Sequence, residues 1–276
     1  MLRFIDRDAT FSVPPKLADK TVHTMTCPRE QRVVVSAPAE ATAAACVDAR
    51  LERQRSTLGA GLTVLNRGKL KAGARQLESA EISADLLGQK VWSHLLADMG
   101  TEGPWLLQIS ALQPDPALVQ SVLATLRDTA TYQPIAGVPE QDKRWFCSSI
   151  CFELPPDFTR EWSTWLEGEA GTLKLFLDRP SPPPEEMFYS EPPLEQLELR
   201  ESRIDSAFGR IAMTVQAVKV HGATGPIEKV HLSATLPLPE RPALSVTGVA
   251  DRARHGDIDR AFRALLTSVK VAKRRG

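Results

Sequence analysis

The cysteines and histidines are the residues whose chemistry would declare itself first. Cys147-x-x-x-Cys151 puts two thiols on one face of either a helix or a strand, but no His or second Cys pair follows at the spacing of zinc ligands. The expectation is a pair of buried structural thiols, with no metal. His23, His94, His221, His231 and His255 are scattered, and none falls in a metalloprotease, nucleophile-elbow or triad-like setting. His94 and His231 fall in expected strands, as partly exposed sheet residues. Nothing nominates Ser93 or Ser110 as a nucleophile. Gly59-Ala60-Gly61 lacks the strand before, the helix after and the lysine of a phosphate-cradling loop, and reads as a helix C-cap and turn. Glu185 and Glu186 lie among prolines, where solvent would hold them at ordinary acidity and leave them of no use as general acids near neutral pH. Trp145, Trp162 and Trp165 read as packing residues. No catalytic residue and no cofactor is expected.

The elements that would have to position such residues begin with size. The chain has 276 residues, and domains most often run to roughly 100–150, so two are expected. With 42% hydrophobic and 25% charged residues it has the composition of a folded, not a disordered, chain. Thirty-four Lys plus Arg against thirty-four Asp plus Glu leave no overall field to draw it to nucleic acid or an anionic membrane. The basic cluster Lys270, Lys273, Arg274 and Arg275 reads as a solvated tail. The opening Met1-Leu2-Arg3-Phe4-Ile5-Asp6-Arg7-Asp8 carries charges where a secretory signal needs an apolar core, and no stretch is apolar for long enough to span a bilayer. No membrane anchoring and a cytoplasmic location are expected, and four scattered cysteines suit a reducing compartment.

An internal repeat organises the chain. Phe11-Ser12-Val13-Pro14-Pro15-Lys16-Leu17 recurs as Phe152-Glu153-Leu154-Pro155-Pro156-Asp157-Phe158. A β-prone run follows each copy, Val33-Val34-Val35 and Leu173 to Leu177. Each half closes alike: a proline, a short strand (Trp105 to Ala111; Ala243 to Val249), a polar loop and an amphipathic helix. The helices carry apolar stripes at Leu118, Val122 and Leu126 and at Ile258, Phe262 and Leu266. The first half adds a helix from about Ala41 to Leu58 and a meander of strands with turns at Gly68, Gly73, Gly88 and Gly103. In the second, Pro180, Pro182, Pro183, Pro184, Pro192 and Pro193 replace that helix with a long loop, and a short helix is expected near Leu194 to Leu199. The fold class is therefore α+β, as two tandem domains, each an antiparallel sheet with helices on one face. The expected boundaries are 1–130, a linker at 131–143, and a diverged 144–276 with its proline-rich loop at 180–193.

A sheet covered on one face leaves the other open, and alternation should make that face polar if it meets only water. Here both faces are substantially apolar, with Ser, Thr and Gln among the aliphatics. Such a face could receive a hydrophobic helix, or pack on a second sheet. The candidate contact residues are Trp92, His94, Leu106, Gln108 and Ser110 in the first half, and Thr214, Gln216, Ser245 and Thr247 in the second.

Phe11-x-Val13-Pro14-Pro15-x-Leu17-x-Asp19-x-Thr21-Val22, the strand Val33-Val34-Val35-Ser36, the helix end Leu51-Glu52-Arg53-Gln54 and Trp105-Leu106-Leu107 resemble the DcrB-like proteins with a PsbP-like fold. The branch that best suits a chain without a signal is the Eag chaperones of type VI secretion effectors. The resemblance implies a domain of about half this length that pairs into a dimer, whose concave sheets bind N-terminal transmembrane segments of effectors. Two fused copies would make one chain a pseudo-dimer, or a dimer of such chains, although loss of the first helix in the second copy departs from the pattern. The resulting expectation is a cytoplasmic, non-enzymatic chaperone or adaptor with a protein partner. Two alternatives stand beside it: an immunity protein that neutralises a secreted toxin, with the acidic stretch Glu185 to Glu195 facing a basic cleft, and an enzyme with a dispersed site.

Overall fold

A computed structural model describes residues 2–4, 9–86, 88–101, 103–129, 144–147, 149–160, 164–177, 188–189, 191–222, 225–239 and 243–271. The expected linker 131–143, most of the proline-rich loop and Trp162 lie outside them. The chain opens with strands β1 (Leu2–Phe4), β2 (Ala9–Ser12) and β3 (Leu17–Asp19). There follow β4 (His23–Thr26), β5 (Arg32–Ser36), helix α1 (Ala43–Leu58), the long meander β6 (Leu62–Ala72), β7 (Arg75–Leu86), β8 (Gln89–Gly100) and β9 (Gly103–Ala111), helix α2 (Pro116–Thr125) and β10 (Arg127–Asp128). Then come β11 (Arg144–Cys147), β12 (Ile150–Glu153), β13 (Thr159–Arg160), β14 (Trp165–Gly168) and β15 (Gly171–Leu177). A second long meander, β16 (Glu195–Ser206), β17 (Gly209–Gly222), β18 (Gly225–Leu236) and β19 (Leu244–Asp251), leads to helix α3 (His255–Ser268) and β20 (Lys270–Val271).

Contacts divide the described residues into a central unit, drawn from 21–162, and a terminal unit, drawn from 1–20 and 163–274. Each holds a seven-stranded antiparallel sheet. The orders are β13-β4-β5-β9-β8-β7-β6 and β3-β14-β15-β19-β18-β17-β16. Taken in sequence from the first strand of each meander, the two sheets read alike. Each unit also has a small three-stranded sheet, β10-β12-β11 and β1-β2-β20, whose middle strand seats one of the repeated phenylalanines, Phe152 or Phe11, both wholly buried.

Set beside the expected segments 1–130 and 144–276, the opening arm of each half pairs with the sheet of the other unit. β3 pairs with β14, Leu17 facing Gly168 and Asp19 facing Leu166, while β13 pairs with β4, Thr159 facing Thr26. Gly168 is what admits β3 so closely, since a Cβ there would lie 2.1 Å from the Lys16 carbonyl oxygen.

Alternation along the strands decides what each face meets. In β9, Trp105, Leu107 and Ile109 join the core formed with Leu118, Val119 and Val122 of α2. Their neighbour Leu106 faces the other way, into a core with Cys46, Val47 and Leu51 of α1 and Ala80, Ile82 and Leu95 of the sheet. The central sheet therefore has a helix on each face, not helices on one; a strand with apolar residues at consecutive positions is a strand buried on both sides. In the terminal unit one core gathers Leu173, Leu175, Met213, Val215, Leu232 and Val246 with Ile258, Phe262 and Leu266 of α3. The short helix expected near Leu194–Leu199 is instead the start of β16. There Leu199 sits opposite Gln216 of β17, and a long ladder outweighs a local preference for helix.

The helix ends follow local chemistry. Thr42 caps α1, its side chain accepting from the Ala45 N–H at 3.2 Å, and Gly59 ends it at φ 55°, as the Gly-Ala-Gly turn implies. Asp115 caps α2 by accepting from Leu118 N–H at 2.9 Å, with Pro116 in the first turn. No helix among the described residues is long and apolar enough to cross a membrane.

Candidate functional site

Among the described residues no three His, Cys, Asp or Glu side chains converge as metal ligands. Cys27, Cys46, Cys147 and Cys151 are all buried, and burial pushes the Cys46 thiol up to about 11, far from a reactive thiolate at neutral pH.

The nine residues nominated from the sequence fall into three places. Trp92 and His94 share the α2 side of the central sheet, opposite Ala111 and Ile109. Trp92 is buried and donates its indole N–H to Glu81 Oε1 at 2.6 Å, and it meets the His94 ring edge-on at 5.9 Å. His94 Nε2 lies 2.8 Å from Ser79 Oγ; burial lowers its pKa, partly offset by Glu81. Leu106, Gln108 and Ser110 are on the opposite, α1 side. The five therefore do not line one groove: Trp92 to Ala111 and Ser93 to Ser110 are adjacent rungs of the same ladder, and adjacent rungs point to opposite faces. Thr214, Gln216, Ser245 and Thr247 do share a face, because Thr214, Ser233 and Thr247 form one cross-strand row and Gln216 faces His231.

Gln108 and Ser110 belong to a polar network with an outlet. The Gln108 amide donates to Ser110 Oγ at 3.0 Å and to Ser93 Oγ at 3.3 Å, while the two hydroxyls are 2.8 Å apart. Its carbonyl oxygen accepts from Arg50 Nε and Nη2 at 3.1 and 2.8 Å. Arg50 is half-buried on α1, and Arg53, Gln54 and Thr57 follow at helical spacing along the same stripe. Arg32 of β5 lies opposite Ser110 on this face. These residues, with Glu30, Leu58, Ala84, Leu86, Val91, Ser93, Ala111 and Leu112, line an open cleft of about 440 Å³.

Three arginines thus meet one carboxylate in a single depression. Among the described residues no ion pair joins Arg32, Arg50 or Arg53 to an acid. Burial, then the charges of Arg53 and Arg32, pull the Arg50 pKa below the usual guanidinium value; it remains protonated, held by a neutral amide oxygen. Sequence reasoning found the floor of this cleft, Gln108 and Ser110, and missed its arginines. Their signal was the spacing Arg50-x-x-Arg53 beside an arginine on the next strand over, a pattern that solvated helix faces also show.

The corresponding face of the terminal unit is closed. Ser245, Thr247 and His231 are buried, so His231 is not the partly exposed residue expected. Phe188 and Tyr189 stand over it. Tyr189 stacks on the imidazole at 5.4 Å, its hydroxyl 3.0 Å from Nε2, and Lys174 Nζ sits 4.5 Å from the centre of the Phe188 ring. Burial, helped by Lys229, pushes His231 down to about 4, and burial raises Tyr189, so both are neutral near pH 7 and the hydroxyl can donate to the ring. A pair so far from neutrality in both directions is a structural contact, not an acid–base couple.

Neither a protein-family model nor a curated protein matches the chain. Among solved structures it is similar to apo immunity protein TplEi of the type VI secretion system from Pseudomonas aeruginosa, at 10% identity and a TM-score of 0.43, over 98% of this chain and 96% of that one. The same immunity protein in complex with "L" peptide matches at 11% identity and a TM-score of 0.41, over 98% and 97%. The Tle4-Tli4 complex matches at 10% identity and a TM-score of 0.45, over 98% and 97%.

Proposed function

We propose that the protein is a non-catalytic binder of a secreted effector, of the immunity kind, and that it docks its partner through charge and shape at the cleft of the central unit. One observation carries the reading. In the central unit the apolar sheet faces that a transmembrane segment would need are occupied, with Leu106 under α1 and Trp105, Leu107 and Ile109 under α2, whereas an open depression among the described residues is cationic. A chaperone groove must offer a continuous apolar surface, since its client's gain is roughly 25 cal/mol per Å² of apolar area covered. A folded, polar partner needs complementary charge instead. The large exposed apolar residues, Val22, Leu65, Met99, Trp165, Leu194, Leu199 and Ile227 among them, are dispersed over several strands and turns.

The reading extends to the two halves, which it takes as copies of one domain; the matched strand order of the two sheets and the equivalent seats of Phe11 and Phe152 support it. It places the protein with other type VI effector partners, in the compartment where the effector would do harm.

The test is to purify the tagged chain from its own host, identify the bound protein, and express that protein in a naive host with and without this chain. Capture of a toxic effector whose toxicity the chain suppresses is the expected result. A partner held through N-terminal transmembrane segments, with no toxicity to suppress, would return the protein to the chaperone reading.

A further inference from the structure

We propose that the cleft beside α1 is a carboxylate-binding pocket, built to receive an acidic segment of the protein partner in which a glutamate or aspartate lies next to a large aliphatic residue. This deepens the function proposed above and rests on it.

The pocket is organised around Arg50. Two of its N–H groups go to one acceptor, the Gln108 carbonyl oxygen. That amide is in turn oriented by Ser93 and Ser110, and Ser93 is 4% exposed. The guanidinium is therefore held in place without being neutralised. A positioned cation whose fixed partner is a dipole keeps its demand for an anion, and a preformed orientation removes part of the entropy cost of meeting one. Arg53, one turn further along α1, and Arg32, across from Ser110, add two more positive charges on the rim. Both are exposed, so they can attract and then clasp an incoming carboxylate.

The rest of the lining selects the class of anion. Leu86 and Leu112 stand at the cleft 44% and 40% exposed, and Leu58, Ala84 and Val91 complete its apolar lining. A free phosphate has nothing to place against that side, while a peptide segment carries its carboxylate and an aliphatic side chain together. Glu30, on the turn between β4 and β5, is a lone negative charge at the rim and weighs more heavily against a dianion than against a carboxylate. The overall charge balance of the chain points the same way, since it supplies no extended basic track for a polyanion.

A fluorescein-labelled peptide of alternating glutamate and leucine, titrated with the full chain and read by anisotropy, tests the pocket. The peptide binds, the version with glutamine in place of glutamate binds at least about tenfold more weakly, and Arg32→Glu or Arg53→Glu each weakens the acidic peptide by about tenfold or more. Leu112→Asn, which adds no charge, weakens it as well, which a purely electrostatic site would not predict. All three substitutions are at exposed positions, and circular dichroism confirms that the variants fold. No binding, equal binding of the glutamine peptide, unchanged affinity in both arginine variants, or full displacement by equimolar inorganic phosphate each overturns the proposal. The two readings fail separately. An effector neutralised equally well by wild type and by Arg53→Glu keeps the immunity function and removes the acidic segment from this cleft; peptide binding without a neutralised effector does the reverse.

Discussion

The α1 side of the central sheet and its counterpart in the terminal unit start from the same strand order and end as opposites. In the first, Ser93, Ser110 and Gln108 form a polar floor, and two arginines of α1 with Arg32 of β5 surround it against the single carboxylate of Glu30. In the second, Ser245, Thr247 and His231 form an equally polar floor, and two aromatic side chains close over it while Lys174 stacks on Phe188. The sheets do not make that difference. It comes from the connection that leaves β5 or β15: one folds as a sixteen-residue helix whose stripe can present charge, the other is rich in proline and presents Phe188 and Tyr189. Two sheets of the same strand order can thus carry different surface chemistry through a single crossover.

The strongest way to test whether the two units are independent cores is to empty one. Phe262 is wholly buried on α3, and Phe262→Ala should cost about 3–5 kcal/mol. Hydrogen exchange should then show β15–β19 amides losing protection; equal loss in β5–β9 would mean that the units unfold as one. Next in size is the pH dependence that separates the two units. His231 has a folded pKa of about 4 against an ordinary 6.5, so between those values the unfolded chain takes up a proton that the native ring refuses. Stability should fall as pH drops through that window, by up to ~3 kcal/mol, and lose nothing further to this group below it. His94 is shifted the same way, so the central unit contributes in the same direction. Denaturation midpoints between pH 4 and 7 should flatten in His231→Phe more than in His94→Phe, and the reverse order would overturn the contrast.

On the open face, Gln108→Leu leaves the half-buried Arg50 guanidinium without its acceptor and should cost ~1.5–3 kcal/mol by urea titration while also releasing the side chain that organises the cleft. A cost below about 0.5 kcal/mol would mean that water already serves Arg50. The smallest effect tests the helix that makes the difference. Thr42→Ala removes the α1 cap and should cost ~1 kcal/mol, read as loss of amide protection at Ala45 and its neighbours. α3, whose N-cap residue Arg254 makes no side-chain cap hydrogen bond, offers no equivalent handle.

Much of the fold could be read from local pattern. The stripes Leu118–Val122–Leu126 and Ile258–Phe262–Leu266 are buried as their spacing requires, and the strand runs around Val33, Leu173, Trp105 and Leu244 are strands. What failed was whatever depends on partners distant in sequence. A three-residue strand such as β3 carries no mark of the sheet it will join. Trp105, Leu106 and Leu107 are all apolar, so the sequence could show that the strand is buried but not that two different helices bury it. Gln108 and Ser110 were visible as polar interruptions of an apolar strand. Arg32, Arg50 and Arg53 were not, because arginines along a helix or at a strand end are ordinary until the floor beneath them is known.

The exchange of opening arms has a consequence for how the chain comes to be folded. β3 is among the first segments made, yet its partner β14 lies about half the chain away, and the sheet it completes is finished only by β19 and the strands between. During synthesis the arm emerges long before its destination exists, so the terminal unit cannot form as a leading domain on the ribosome. A contact this distant in sequence also carries a large loop-closure cost before it returns anything, which marks it as a late and slow event. Cutting the chain between the halves would likewise not release two finished domains: each fragment would keep an arm it cannot use and lack the one its own sheet requires.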